Sequence, residues 1–97
     1  MKIDLSEMRK LQRMLDEANI SYDIRKIFSG EQIEYFGHND RTKKGRVCSI
    51  ICHEYSYGSD IELLEIMGFA LTDSDDGVEG YLTAEEVFDR IKKDWDK

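Results

Sequence analysis

SDIELLEIMGFALTDSDDGVEGYL, residues 59–82, decides the architecture, because the hydrophobic period changes here from that of the segment before it. Ser59 and Glu62 have the spacing of a capping box, and Ile61, Leu64 and Met67 recur at helical intervals before Gly68. That pattern predicts a short helix within residues 55–68. Phe69 and Leu71 are then expected to tuck under a core, and DSDDG to form an acidic turn leading into a last helix.

On the N-terminal side the period is two. RVCSIICHE, residues 46–54, is the most apolar run and reads as the best-buried strand. ISYDIRKIF, residues 20–28, places Ile20, Tyr22, Ile24 and Phe28 on one face, with Ser21, Asp23 and Arg25 on the other. Ser29-Gly30 predicts a tight turn into EQIEYFG, residues 31–37, and HNDRTKKG, residues 38–45, is a loop. At the start, Leu5, Met8, Leu11, Leu15 and Ala18 form one helical stripe over residues 4–18, with Asp4 and Glu7 spaced as a capping box and Asn19 at the exit. At the end, Thr83 and Glu86 repeat the capping box, and Val87, Phe88, Ile91 and Trp95 share one side. The expected fold is therefore a single α+β domain over residues 1–97, a three-stranded antiparallel sheet packed against helices in the order α-β-β-β-α-α.

Composition bounds the function. Apolar residues at 40% suffice for a core, while charged residues at 36% predict a densely charged surface. No run is apolar enough to span a bilayer, and the charged start lacks a signal-peptide stretch, which points to a soluble, cytoplasmic protein. Residues 1–53 hold ten Lys/Arg against eight Asp/Glu, a balance of +2. Residues 54–97 hold four against thirteen, a balance of −9. The acidic half repels phosphate and suits a protein partner with a basic surface.

The segment 75–86 has the spacing of an EF-hand loop, with Asp75 at position 1, Glu79 at 5, Gly80 at 6, Tyr81 at 7, Thr83 at 9 and Glu86 at 12. Gly77 falls at position 3, where a ligand oxygen is needed, so a degenerate calcium site built from Asp75, Glu79, Tyr81, Thr83 and Glu86 is the alternative to a capped helix start. A second alternative is nucleic-acid binding by the basic residues Arg41, Lys43, Lys44 and Arg46, with Tyr35 and Phe36 beside them. Cys48 and Cys52 read as reduced core thiols; with His38 and His53 they match no zinc spacing. Phosphate-cradling glycine motifs and HExxH are absent, and strand alternation aims Cys52 and His53 apart. No cofactor and no catalytic residue is expected.

HEYSYGSDIELLEIMG together with EGYLTAEEVFDRIKKDW, roughly the C-terminal 45 residues, resembles small acidic proteins of uncharacterised chemistry encoded by phages and prophages of Gram-positive bacteria. That resemblance implies a compact accessory protein in a bacterial host cell, acting by binding a host or phage protein. The expectation is a non-enzymatic interaction module, monomeric or homodimeric. Its contact face would comprise Asp73, Asp75, Asp76, Glu79, Glu85, Glu86 and Asp89, with Tyr55 and Tyr57 as apolar anchors.

Overall fold

The computed structural model describes residues 3–53 and 63–97, with the side chain of Lys43 left out. The first amphipathic stripe forms α1 (Ser6–Glu17), burying Met8, Leu11 and Leu15. Its exit is a Schellman turn. Asn19 takes a left-handed φ of 58°, its N–H bonds to the Asp16 carbonyl, and the Ile20 N–H reaches the Leu15 carbonyl at 3.0 Å. The entry differs from the expected capping box. Asp4 accepts the Ser6 N–H at 2.8 Å, but Glu7 turns away from its own helix and accepts the Ala84 N–H of the last helix, also at 2.8 Å.

The predicted meander follows as β1 (Asp23–Ile27), β2 (Gly30–Tyr35) and β3 (Cys48–Cys52), with a 3-10 turn at Lys43–Gly45 inside the 38–46 loop. Ile27 pairs with Gly30, so the hairpin tip is Phe28-Ser29 rather than Ser29-Gly30. Phe28, expected on the apolar face, is 73% exposed at this tip with φ 51°, and its ring meets His53 edge-on at 5.0 Å. Gly30 is dictated by close approach: a Cβ there would lie 1.8 Å from the Cys52 carbonyl oxygen.

The three-stranded sheet and the α-β-β-β-α-α order do not hold. Leu64–Met67 is a strand, β4, not the end of a helix, and Val78–Leu82 is a fifth strand, β5. Phe69–Leu71 forms only a 3-10 turn between them. Among the described residues the sheet has five strands in sequential order, all neighbours antiparallel, and the elements run α-β-β-β-β-β-α. The physical reason is cross-strand pairing. Ile50 lies opposite Ile66 and Leu64 opposite Leu82, so Leu64 and Ile66 are fully buried beside β3 and β5, while Met67 falls on the opposite face and is exposed. The predicted capping pair Ser59/Glu62 and Ile61 lie outside the described residues.

The last helix, α2 (Ala84–Trp95), starts as its sequence predicts. The Thr83 hydroxyl accepts the Glu86 N–H and the Glu86 carboxylate accepts the Thr83 N–H, completing the capping box. Both helices cover one face of the sheet. Met8, Leu11 and Leu15 of α1 and Ala84, Val87 and Ile91 of α2 pack with Ile33, Tyr35, Cys48, Ile50, Cys52, Leu64 and Ile66. A fully buried aliphatic side chain of this kind contributes about 1.5–3 kcal/mol. Phe88 and Trp95 flank this core half-buried. The other face carries a polar ladder: Arg25 Nε donates to Gln32 at 2.8 Å, and Gln32 Nε2 donates to Ser49 at 2.7 Å.

Candidate interaction surface

Between β4 and β5 the chain turns through residues whose side chains bind their own backbone. The Gly77 N–H bonds to the Ser74 carbonyl at 3.2 Å. Ser74 Oγ accepts the Val78 N–H at 2.9 Å and donates to the Val78 carbonyl at 2.7 Å, while Asp76 also accepts the Val78 N–H. Ser and Asp favour such turns because their short side chains substitute for backbone partners. Gly77 has a left-handed φ of +72°, and the Phe69 ring lies 3.1 Å from where its Cβ would stand.

Phe69 lies over the turn and does not tuck under the core: it is 74% exposed, and Met67 is 42% exposed. Leu71 behaves as expected and packs against the core. A shallow hollow of about 320 Å³ lies between Met67, Phe69, Asp76, Val78 and Arg46. Tyr81, farther along β5, is 58% exposed with φ 63°.

The seven acidic residues expected to form one face divide into two sets. Glu79 is held by Arg90 at 2.8 Å and also accepts the Asp73 N–H. The Arg90 hydrogen bond, helped by that N–H, keeps the Glu79 carboxyl below its ordinary value. Glu85 pairs with Lys10 of α1 at 2.5 Å, which lowers its pKa as well. Asp89 pairs with Lys93 at 3.0 Å, and Glu86 is engaged in the capping box. Asp73, Asp75 and Asp76 are exposed and form no salt bridge among the described residues. Tyr55 and Tyr57 lie outside the described residues.

The calcium ligand set does not converge. Residues 78–82 run as a strand, Glu79 faces Arg90, and Thr83 and Glu86 bond to each other. The segment before the loop is strand and 3-10 turn instead of the entering helix an EF-hand needs. Among the described residues no three His, Cys, Asp or Glu side chains are grouped to hold a metal ion.

The basic loop is likewise altered by its partners. Arg41 is ion-paired with Asp23, and Arg46 with Glu34 at 2.8 Å, leaving Lys44 exposed. The aromatics beside it are inside. Tyr35 is fully buried and donates its hydroxyl to Asp94 at 2.7 Å, and Phe36 is buried too. His38 stacks on Trp95 with centroids 3.9 Å apart. The side chain of Lys43 lies outside the described residues. Cys48 and Cys52 are free and buried, and burial pushes their thiols up to about 12 and about 11. Both therefore remain protonated and poorly nucleophilic at neutral pH.

The residues missed at the sequence level are Phe69 and Met67. A period-two reading of LEIM puts Met67 on the side opposite Leu64 and Ile66, which was the available signal. No described helix is long and apolar enough to cross a membrane. Compared with known proteins, the chain matches no family model, no curated protein and no solved structure.

Proposed function

We propose that this protein is a small non-enzymatic interaction module that docks on a basic surface of a host or phage protein in the bacterial cytoplasm. The observation that carries the reading is the β4–β5 turn. Three exposed aspartates, none in a salt bridge among the described residues, lie in the turn against which the exposed Phe69 ring rests. Surface charge outside salt bridges steers association, and an exposed aromatic supplies an anchor. Asp73, Asp75 and Asp76 are the steering residues and Phe69 and Met67 the anchors. Glu79, Glu85, Glu86 and Asp89 shape the surface through their internal bonds. A basic face that normally holds nucleic acid is the partner surface this pattern suits, and blocking it would inhibit the partner.

The test is capture from lysate of a Gram-positive host by the immobilised protein, followed by binding kinetics with the captured protein. Association should slow with added salt and with Asp75→Lys/Asp76→Lys, and dissociation should quicken in Phe69→Ala. Capture that is indifferent to salt and to all three substitutions would remove this turn from the interface.

A further inference from the structure

The two edges of the sheet are built differently. β5 has a register shift against β4 between Leu64 and Ile66, a glycine at position 80 and a left-handed Tyr81, all of which disturb a regular ladder. β1 pairs with β2 in unbroken register over all five residues, and no other described strand lies on its outer side. Its residues from Asp23 to Lys26 are exposed. An open, regular edge of this kind can pair with another strand.

We propose that β1 pairs with β1 of a second copy, antiparallel about a two-fold axis through Ile24. The register follows from faces and charges. Asp23 and Arg25 lie opposite Glu34 and Gln32 on the helix-free face, while Ile24 and Lys26 lie opposite Ile33 and Glu31 on the helix side. A continuous sheet must keep these faces matched, so the axis passes through a residue and not between two. An axis at Asp23, Arg25 or Lys26 sets that charge against itself, and one at Ile27, the last residue of the strand, sets Arg25 and Lys26 against the hairpin tip Phe28-Ser29 and leaves their charges unmatched. The axis at Ile24 sets Asp23 against the second copy's Arg25, Arg25 against its Asp23, and Ile24 against its Ile24.

The neighbours reinforce this register. Asp23 is already paired with Arg41, and Arg25 lies 3.8 Å from Glu34, which binds Arg46. Joining Asp23 to the second copy's Arg25 gives a row of five charges of alternating sign across the seam. On the helix side, Ile24 is 37% exposed and borders a hollow of about 380 Å³ lined also by Arg9, Gln12 and Glu31, which the second copy's Ile24 would cover. Arg25 and Lys26 meanwhile discourage pairing in other registers, so the edge admits one partner and resists general aggregation. The interface is short and belongs among weak associations. It is separate from the acidic turn and does not depend on the function proposed for that turn.

Sedimentation equilibrium over roughly 1 μM to 1 mM spans that affinity range. The expected result is a rise from 11.4 kDa to twice that mass. Asp23→Arg or Arg25→Asp should each weaken self-association about tenfold, and the double swap should restore it. Under oxidation Ile24→Cys should cross-link two chains, because residues directly opposite in antiparallel strands lie about 5 Å apart. Lys26→Cys should not, being displaced from its own copy by about 13 Å along the strand. Circular dichroism checks that each variant is folded. A monomer throughout the range, assemblies larger than a dimer, single charge variants that dimerise like the parent, or equal cross-linking at both positions would each overturn the proposal.

Discussion

The 38–46 loop and the 73–76 turn are connections of opposite sign, and the fold treats their charges differently. In the loop, Arg41 and Arg46 reach back to Asp23 and Glu34 on the neighbouring strands. In the turn, the Ser74 hydroxyl and the Asp76 carboxylate both accept the Val78 N–H, and Asp73, Asp75 and Asp76 form no salt bridge among the described residues. Formal charge in a sequence is therefore a poor guide to the charge that a partner meets. Long Arg side chains next to strand carboxylates neutralise themselves, whereas the short Asp side chains of the tight turn bind backbone or solvent and form no salt bridge among the described residues.

The contrast is broken most severely at Gly77. Gly77→Val places a branched side chain at φ +72° against the Phe69 ring, and should cost about 2 kcal/mol in urea denaturation while displacing Phe69. Retention of parental stability would mean that the turn relaxes freely and holds Phe69 only loosely.

Arg90 is what separates Glu79 from the aspartates of the turn that form no salt bridge among the described residues. Arg90→Ala leaves Glu79 and the Leu71 carbonyl without their cation and should cost about 1 kcal/mol at neutral pH. Because the Glu79 pKa is lowered on folding, its contribution is present above the ordinary value of 4.5 and lost as the pH falls through the lowered one. Acid denaturation of Arg90→Ala should accordingly be shallower below pH 4.5 than that of the parent. Parallel curves would show that Glu79 gains nothing from Arg90.

On the basic side, Arg46→Ala frees Glu34 and should cost about 0.5 kcal/mol, because a partly exposed pair contributes little. Thermal melts with and without salt measure this, and a salt-independent loss would assign the effect to packing of the Arg stem instead. The smallest stability change belongs to Asp75→Lys, within about 0.5 kcal/mol, since this exposed side chain forms no salt bridge among the described residues. A larger destabilisation in urea denaturation would show that Asp75 helps to hold the turn together.

Parts of the molecule were legible because local chemistry agreed with the tertiary outcome. The stripe Met8, Leu11, Leu15 and the Thr83/Glu86 box place both helices, and alternation in residues 20–54 places three strands. The Asp4/Glu7 spacing predicted a local cap, yet Glu7 bonds to the amide of Ala84, which lies 77 residues along the chain. Spacing cannot reveal such a partner. Of the acidic face, the sequence offered seven carboxylates of equal standing. Which are held by Arg90, Lys10 and Lys93 depends on elements brought together only in three dimensions.

By itself the sequence determined two amphipathic helices, an antiparallel meander, a strongly acidic C-terminal half and two thiols bound for the core, because each follows from residue period or composition. Tertiary structure decided whether residues 64–67 and 78–82 became helix and loop or two further strands. A four-residue apolar run such as LEIM suits either state, and VEGYL carries a glycine that weakens any strand preference. Pairing with β3 supplied the backbone partners and buried Leu64 and Ile66, and that long-range gain outweighed the helical spacing written locally.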